Sequence, residues 1–143
     1  MKTNNQMGFS LIELLLVVVI IGVIAGLAVP SLLKAKQSSE NANAFASLRT
    51  MLSSEVSFFS QNGRYGRLAE INAASSGSLG VTSPPNSLLR GRFTFTMTPA
   101  APTDAQLKNN FHITVTKGVS GSEQPYTLDM DESGGIIEVY GTN

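Results

Sequence analysis

Between Leu11 and Val29 the chain runs through 19 positions that are apolar except for Glu13, Gly22 and Gly26. As a helix rising about 1.5 Å per residue, such a run spans about 28 Å, close to the ~30 Å hydrocarbon core of a bilayer. The residues alone leave two plain readings open. One is a retained transmembrane anchor. The other is a secretory signal removed by a small-residue peptidase after Ala28. The second fits less well, because the apolar part of a signal runs only about 7 to 15 residues behind a positively charged front. Here the front is MKTNNQMG, with Lys2 as its one positive side chain.

The remainder of the 143 residues is enough for one domain. Lys and Arg number 10 and Asp and Glu number 10, so no bulk charge points to nucleic acid. The chain has no Cys, which removes disulfides, thiolate nucleophiles and cysteine zinc sites. Its single His cannot build a multi-histidine metal centre. No dinucleotide-binding glycine motif, phosphate-binding loop or HExxH stretch occurs. The expectation is therefore no enzyme, no cofactor, no small-molecule substrate and no nucleic acid partner.

Residues 31 to 62 contain neither Gly nor Pro. Phe45, Leu48, Met51, Leu52, Val56 and Phe59 recur at steps of three and four, which predicts one apolar helix face. Asn62-Gly63 supplies a stop. A helix from Phe9 to Asn62 is about 80 Å long if continuous. Pro30 lacks a backbone donor and predicts a kink or local melting. Residues 64 to 90, with AASSGSLGVTSPPNS, read as a long surface loop. Alternation of apolar and polar residues then predicts strands at 91–98, 111–116, 126–130 and 136–140, with a short turn over Asp131 to Gly135. The predicted class is α+β. A long amino-terminal helix, transmembrane in its first half and amphipathic in its second, packs on a four-stranded antiparallel sheet. Phe93, Phe95, Ile113, Val115, Leu128 and Met130 should face the helix.

His112 has no local nucleophile or acid to complete a catalytic group and reads as a surface histidine. Asp129, Asp131 and Ser133 place oxygens at alternate positions before Gly134, a faint echo of a calcium loop. Its closing Glu is absent, Tyr140 standing there instead. A solvated hairpin is the plainer reading. Arg90-Gly91-Arg92 reads as a solvated strand start rather than a phosphate contact. Gly22 and Gly26 form a small-xxx-small pair suited to close helix packing, with ordinary transmembrane glycine as the alternative. Phe45, Phe58, Phe59 and Tyr65 read as core or subunit packing.

The order Gly8-Phe9-Ser10-Leu11-Ile12-Glu13, after a short polar leader and before the apolar run, resembles the type IV prepilin signature G-F-[ST]-L-x-E. The resemblance covers about residues 1 to 60, and Pro30 matches a proline common in pilins at that point. It implies that a prepilin peptidase cuts after Gly8 on the cytoplasmic side and methylates the new amine of Phe9. The apolar helix is then kept. The count of Lys34 and Lys36 against Lys2 argues for the opposite orientation, and the signature overrules it. The tail DMDESGGII looks like the D-x-S-G-x-I ending of some bacterial pilins, although the disulfide that closes many pilins has no cysteines here. Calcium sites near this end are known among the related pseudopilins.

The resemblance divides the chain into a removed leader, 1–8, a transmembrane and assembly helix, 9–30, an amphipathic helix half, 31–63, and a globular head, 64–143. It implies a structural subunit held in the inner membrane by a single pass. Inner-membrane machinery then assembles it with copies of itself into an extracellular filament. Adhesion, twitching motility and DNA uptake are all compatible roles. Glu13 is the implied assembly residue, meeting the amine of Phe9 on a neighbouring subunit. Gly22, Gly26 and Pro30 shape the helix. Two alternatives stand beside this. One is a major pseudopilin of type II secretion, whose D-P-W-G-x-P-Y-type stretch is missing here. The other is a membrane-anchored or secreted binding domain that does not polymerise.

Overall fold

A computed structural model describes residues 8–118 and 126–140, with the side chains of 138–140 left aside. The leader assigned to 1–8 therefore lies outside the described residues except for Gly8. Helix α1 covers Leu11–Asn62 and stays helical through Pro30, so of the kink or local melting expected there the melting does not occur. The chain divides into two compact units, Met1–Glu40 and Asn41–Asn143, and each is taken by itself.

In the first unit the apolar side chains from Leu11 to Leu33 are exposed, as the composition of a membrane segment requires. Near its end, exposed Lys36 stands 4.0 Å from Glu40, one turn on.

In the second unit all six strands form one antiparallel meander in chain order: β1 (Val81–Ser83), β2 (Ser87–Arg90), β3 (Phe93–Thr98), β4 (His112–Lys117), β5 (Tyr126–Asp131) and β6 (Ile136–Tyr140). The last four are the strands expected from alternation. Phe93, Phe95, Ile113, Val115, Leu128 and Met130 are buried together with Ala44, Leu48 and Met51 of α1. The α+β class holds, and the strand count is corrected from four to six. The loop expected over 64–90 contains α2 (Leu68–Ala74) and the β1–β2 hairpin, and a further turn of helix, α3 (Asp104–Leu107), precedes β4. Two tight loops set the register. Gly91, at φ 62°, opens the two-residue connection between paired Arg90 and Phe93. Gly134, at φ 77°, lies in the turn before Ile136, which pairs with Met130.

The segment before β1 is fastened by side-chain amides. Asn72 accepts from the Leu79 N–H at 3.0 Å and donates to the Gly80 carbonyl at 3.0 Å. The Asn86 side-chain oxygen accepts the Leu68 N–H at 3.0 Å and so satisfies a free donor at the start of α2. Arg64 forks onto Glu70 at 2.9 and 2.8 Å, and Arg67 reaches Asp104 at 2.7 Å. The Arg64 guanidinium, helped by the Arg67 N–H, pulls the Glu70 carboxyl down to about 2.

The buried line of α1 is a second correction. It runs Ala44, Ser47, Leu48, Met51, Glu55. Phe45 and Leu52 are only partly buried, while Val56 at 57% and Phe59 at 36% are exposed. The face is rotated toward Glu55 because the chain after Gly63 folds back over it: the Gly66 N–H donates to Glu55 Oε2 at 2.7 Å. Tyr65 continues this cover, packing 4.7 Å from both the Phe59 and Phe111 rings.

Candidate functional site

The candidate assembly segment begins at Gly8. Gly8, Phe9 and Ser10 are exposed and precede the helix, with Phe9 at 84% exposure. Helix α1 starts when the Ser10 carbonyl accepts the N–H groups of Glu13 at 3.1 Å and Leu14 at 3.2 Å. Glu13 thus sits in the first turn, where unpaired N–H groups and the helix dipole favour a carboxylate. Among the described residues the Glu13 carboxylate has no hydrogen-bond or ion-pair partner. Behind it comes a helix segment of mean hydropathy 3.0, apolar enough and long enough to cross a membrane.

Gly22 and Gly26 lie one turn apart on that helix, and a Cβ at either would meet nothing within 4 Å. Among the described residues nothing therefore requires glycine at these positions. The segment's means are a free carboxylate, an apolar surface and two places where a backbone can be approached closely.

The sequence-derived candidates on the head are scattered. His112 lies half-exposed on β4, with Nε2 3.8 Å from Asp129 Oδ1. Asp131 Oδ1 accepts from both the N–H and the hydroxyl of Ser133, which fastens the β5–β6 turn. The Ser133 hydroxyl holds the Asp131 carboxyl below the usual range. Asp129 thus stands beside His112, while Asp131 and Ser133 are tied to each other. No group of three His, Cys, Asp or Glu side chains that could hold a metal occurs among the described residues. Arg90 ends β2, and Gly91 and Arg92 make the two-residue hairpin loop after it.

Sequence reasoning missed Glu55. It is completely buried and one of its oxygens, Oε1, has no hydrogen-bond partner. Burial raises its pKa to about 8, against the opposing pull of the Gly66 N–H. The signal was present in the spacing, since Glu55 falls one turn after Met51 on the line from Ala44 and Leu48.

These features define a class: a chain whose exposed membrane-type helix, headed by a first-turn glutamate, precedes a meander head. Residues 3–29 match the family described as the prokaryotic N-terminal methylation motif. The chain is also similar to the type IV major pilin protein PilA of Myxococcus xanthus (strain DK1622), 40% identical over 62 residues. That match covers 43% of this chain, and the chain spans 28% of the length of that relative. No solved structure matches. The two sequence matches support a type IV pilin, and they support reading the chain as a pilin subunit. Pilin structural proteins are in general not enzymes.

Proposed function

We propose that this chain is made as a precursor, cut between Gly8 and Phe9 by a prepilin peptidase, methylated on the Phe9 amine and polymerised with copies of itself into an extracellular type IV pilus. On this reading residues 1–8 are the leader, 9–30 the membrane and assembly helix, 31–63 the second helix half and 64–143 the head. Before assembly the subunit sits in the inner membrane by a single pass, where the assembly machinery collects it. The observation that carries the proposal is the methylation-motif match over residues 3–29, which takes in the exposed apolar start of α1 with Glu13 in its first turn.

The role of Glu13 follows from electrostatics. A charge at the centre of a membrane helix costs about 2.5–3.5 kcal/mol on insertion scales. Glu13 is near the helix end, where the cost in lipid is smaller. A bundle of apolar helices is drier, and there an unpaired charge is expensive. The Phe9 amine freed by cleavage is a cation at the same axial level. Pairing it with Glu13 of a neighbouring subunit stabilises one docking register and disfavours the others. Gly22 and Gly26 then allow helices to approach closely, and apolar contact between subunits replaces contact with lipid.

Intact-mass spectrometry of the protein recovered from cells tests the processing step. The expected species begins at Phe9 and carries one methyl group. A mature chain beginning at Val29 would mean an ordinary secretory signal and would overturn the proposal.

A further inference from the structure

Helix α1 ends on Asn62-Gly63, the sole Asn-Gly pair in the sequence. An asparagine followed by glycine is a reactive pair. The glycine nitrogen can attack the carboxamide carbon to close a five-membered imide, and glycine has no Cβ to hinder the approach. Both residues are exposed, so water reaches them. A Cβ on Gly63 would meet nothing within 4 Å, so the space that a ring needs is free.

The fold engages both partners elsewhere. The Gly63 N–H donates to the Phe59 carbonyl at 2.8 Å, and the Asn62 carboxamide nitrogen donates to the Phe58 carbonyl at 3.0 Å. Gly63 takes φ 68°, the left-handed conformation that ends a helix. The Phe59 ring lies 4.7 Å from the Tyr65 ring and so ties the last turn to the segment beyond the stop. What holds the pair closed is therefore local. The last turn carries no basic side chain to offset its exposed carbonyls, and helix ends fray.

We propose that Asn62-Gly63 is a self-modification site, kept closed by the last turn of α1 and its Phe59–Tyr65 contact and opened when that turn frays. In the open state the Gly63 nitrogen bonds to Asn62 Cγ, and the Cγ–Nδ2 bond breaks to release ammonia. Solvent water takes the Gly63 amide proton and returns one to the leaving nitrogen. A second water then opens the imide at either carbonyl, leaving aspartate or isoaspartate. The proposal rests neither on processing nor on polymerisation.

The product bears on the head. It sets a carboxylate at the carbonyl end of the helix, which the dipole disfavours. Isoaspartate also lengthens the main chain by a methylene just ahead of the points where it is fastened. Those are Arg64 on Glu70, the Tyr65 N–H on the Leu107 carbonyl at 2.8 Å and the Gly66 N–H on buried Glu55 at 2.7 Å. Conversion loosens this cover.

The test incubates the full chain in detergent micelles at neutral pH and follows residue 62 by peptide mapping and mass spectrometry. Conversion in the folded chain should run about 5- to 30-fold slower than in the same chain unfolded in urea, the ratio for an opening that costs little. Hydrogen exchange at the Gly63 amide should show the same degree of protection. Phe59→Ala should speed the folded-state reaction about 2- to 10-fold and leave the urea rate unchanged. Asn86-Ser87 is the internal control: Asn86 is buried and accepts the Leu68 N–H, so it should convert only when the head unfolds. Converted protein, separated by its added charge, should exchange the Gly66 amide about fivefold faster than unconverted protein. Folded-state conversion as fast as in urea, or slower by more than about a hundredfold, would overturn the proposal. So would an unchanged folded-state rate in Phe59→Ala, protection of the Gly63 amide that does not match the conversion ratio, conversion of Asn86 as fast as Asn62, or equal Gly66 exchange in the two forms.

Discussion

Glu55→Gln should remove the loss of head stability that Glu55 causes as pH rises. Glu55 is completely buried, accepts one hydrogen bond from Gly66 and leaves Oε1 unpartnered. Burial raises its pKa from 4.5 to about 8. The fold therefore holds the neutral acid while the unfolded chain releases its proton. Stability is fully present below about pH 4.5 and is lost as pH rises toward about 8, after which this group contributes no further change. At about 1.4 kcal/mol per pH unit the total loss is about 5 kcal/mol, an order-of-magnitude figure that is large against a domain's typical ~5–15 kcal/mol. Glutamine keeps an acceptor for Gly66 and cannot ionise, but its amide hydrogens enter a buried site at a cost of about 1–3 kcal/mol. The two proteins should thus cross. The wild type should be equal or more stable at pH 5, and the variant more stable by roughly 2–4 kcal/mol at pH 9. Urea unfolding of both proteins in mild detergent at pH 5, 7 and 9, read by near-ultraviolet circular dichroism, measures the difference directly. Parallel pH profiles would show that Glu55 is not a buried acid that ionises only on unfolding.

Three further outcomes follow from the packing of the head. Leu48→Ala should cost about 2–5 kcal/mol, whereas Val56→Ala should stay within about 0.5 kcal/mol, which separates the observed helix face from the one read off the sequence. Gly66→Ala places a Cβ 2.5 Å from Ile71 Cγ2 and 3.2 Å from Phe58 Cδ1, and with Ile71 fully buried it should destabilise by about 1–3 kcal/mol in the same urea assay. Asn72→Ala removes the bonds to Leu79 and Gly80, so hydrogen exchange at the Leu79 amide should accelerate while the β4 amides change little.

The parts legible in the sequence were those where one physical requirement dominates a long stretch. The membrane run from Leu11 needs only length and apolarity. The strands from Phe93 onward alternate cleanly because one sheet face is buried on the helix and the other is wet. The errors fell where elements are short or long-range contacts decide. β1 and β2 are three and four residues long and sit around Pro84-Pro85, so turn composition masked them. Helix α2 is seven residues and relies on Asn86 and Glu70 for its first donors, partners that only the folded chain brings to it. The rotated face of α1 depends on Gly66 folding back over Glu55, and a periodicity count over apolar residues leaves a glutamate out. The amino-terminal candidates Gly8, Phe9 and Glu13 rest on a compact motif that needs no tertiary contact to be read, and their roles are those proposed above.

The most direct test of the proposed assembly is electron microscopy of the fraction sheared from cells that express either the wild-type chain or Glu13→Val, with the same samples analysed by mass spectrometry. The wild type should yield filaments made of this chain, starting at Phe9. Glu13→Val should still insert and be cut, but should yield few filaments or none, and co-expression with the wild type should admit some variant subunits because their Phe9 amines remain. Normal numbers of normal filaments from Glu13→Val alone would contradict the account, since the carboxylate would then not set the register between subunits.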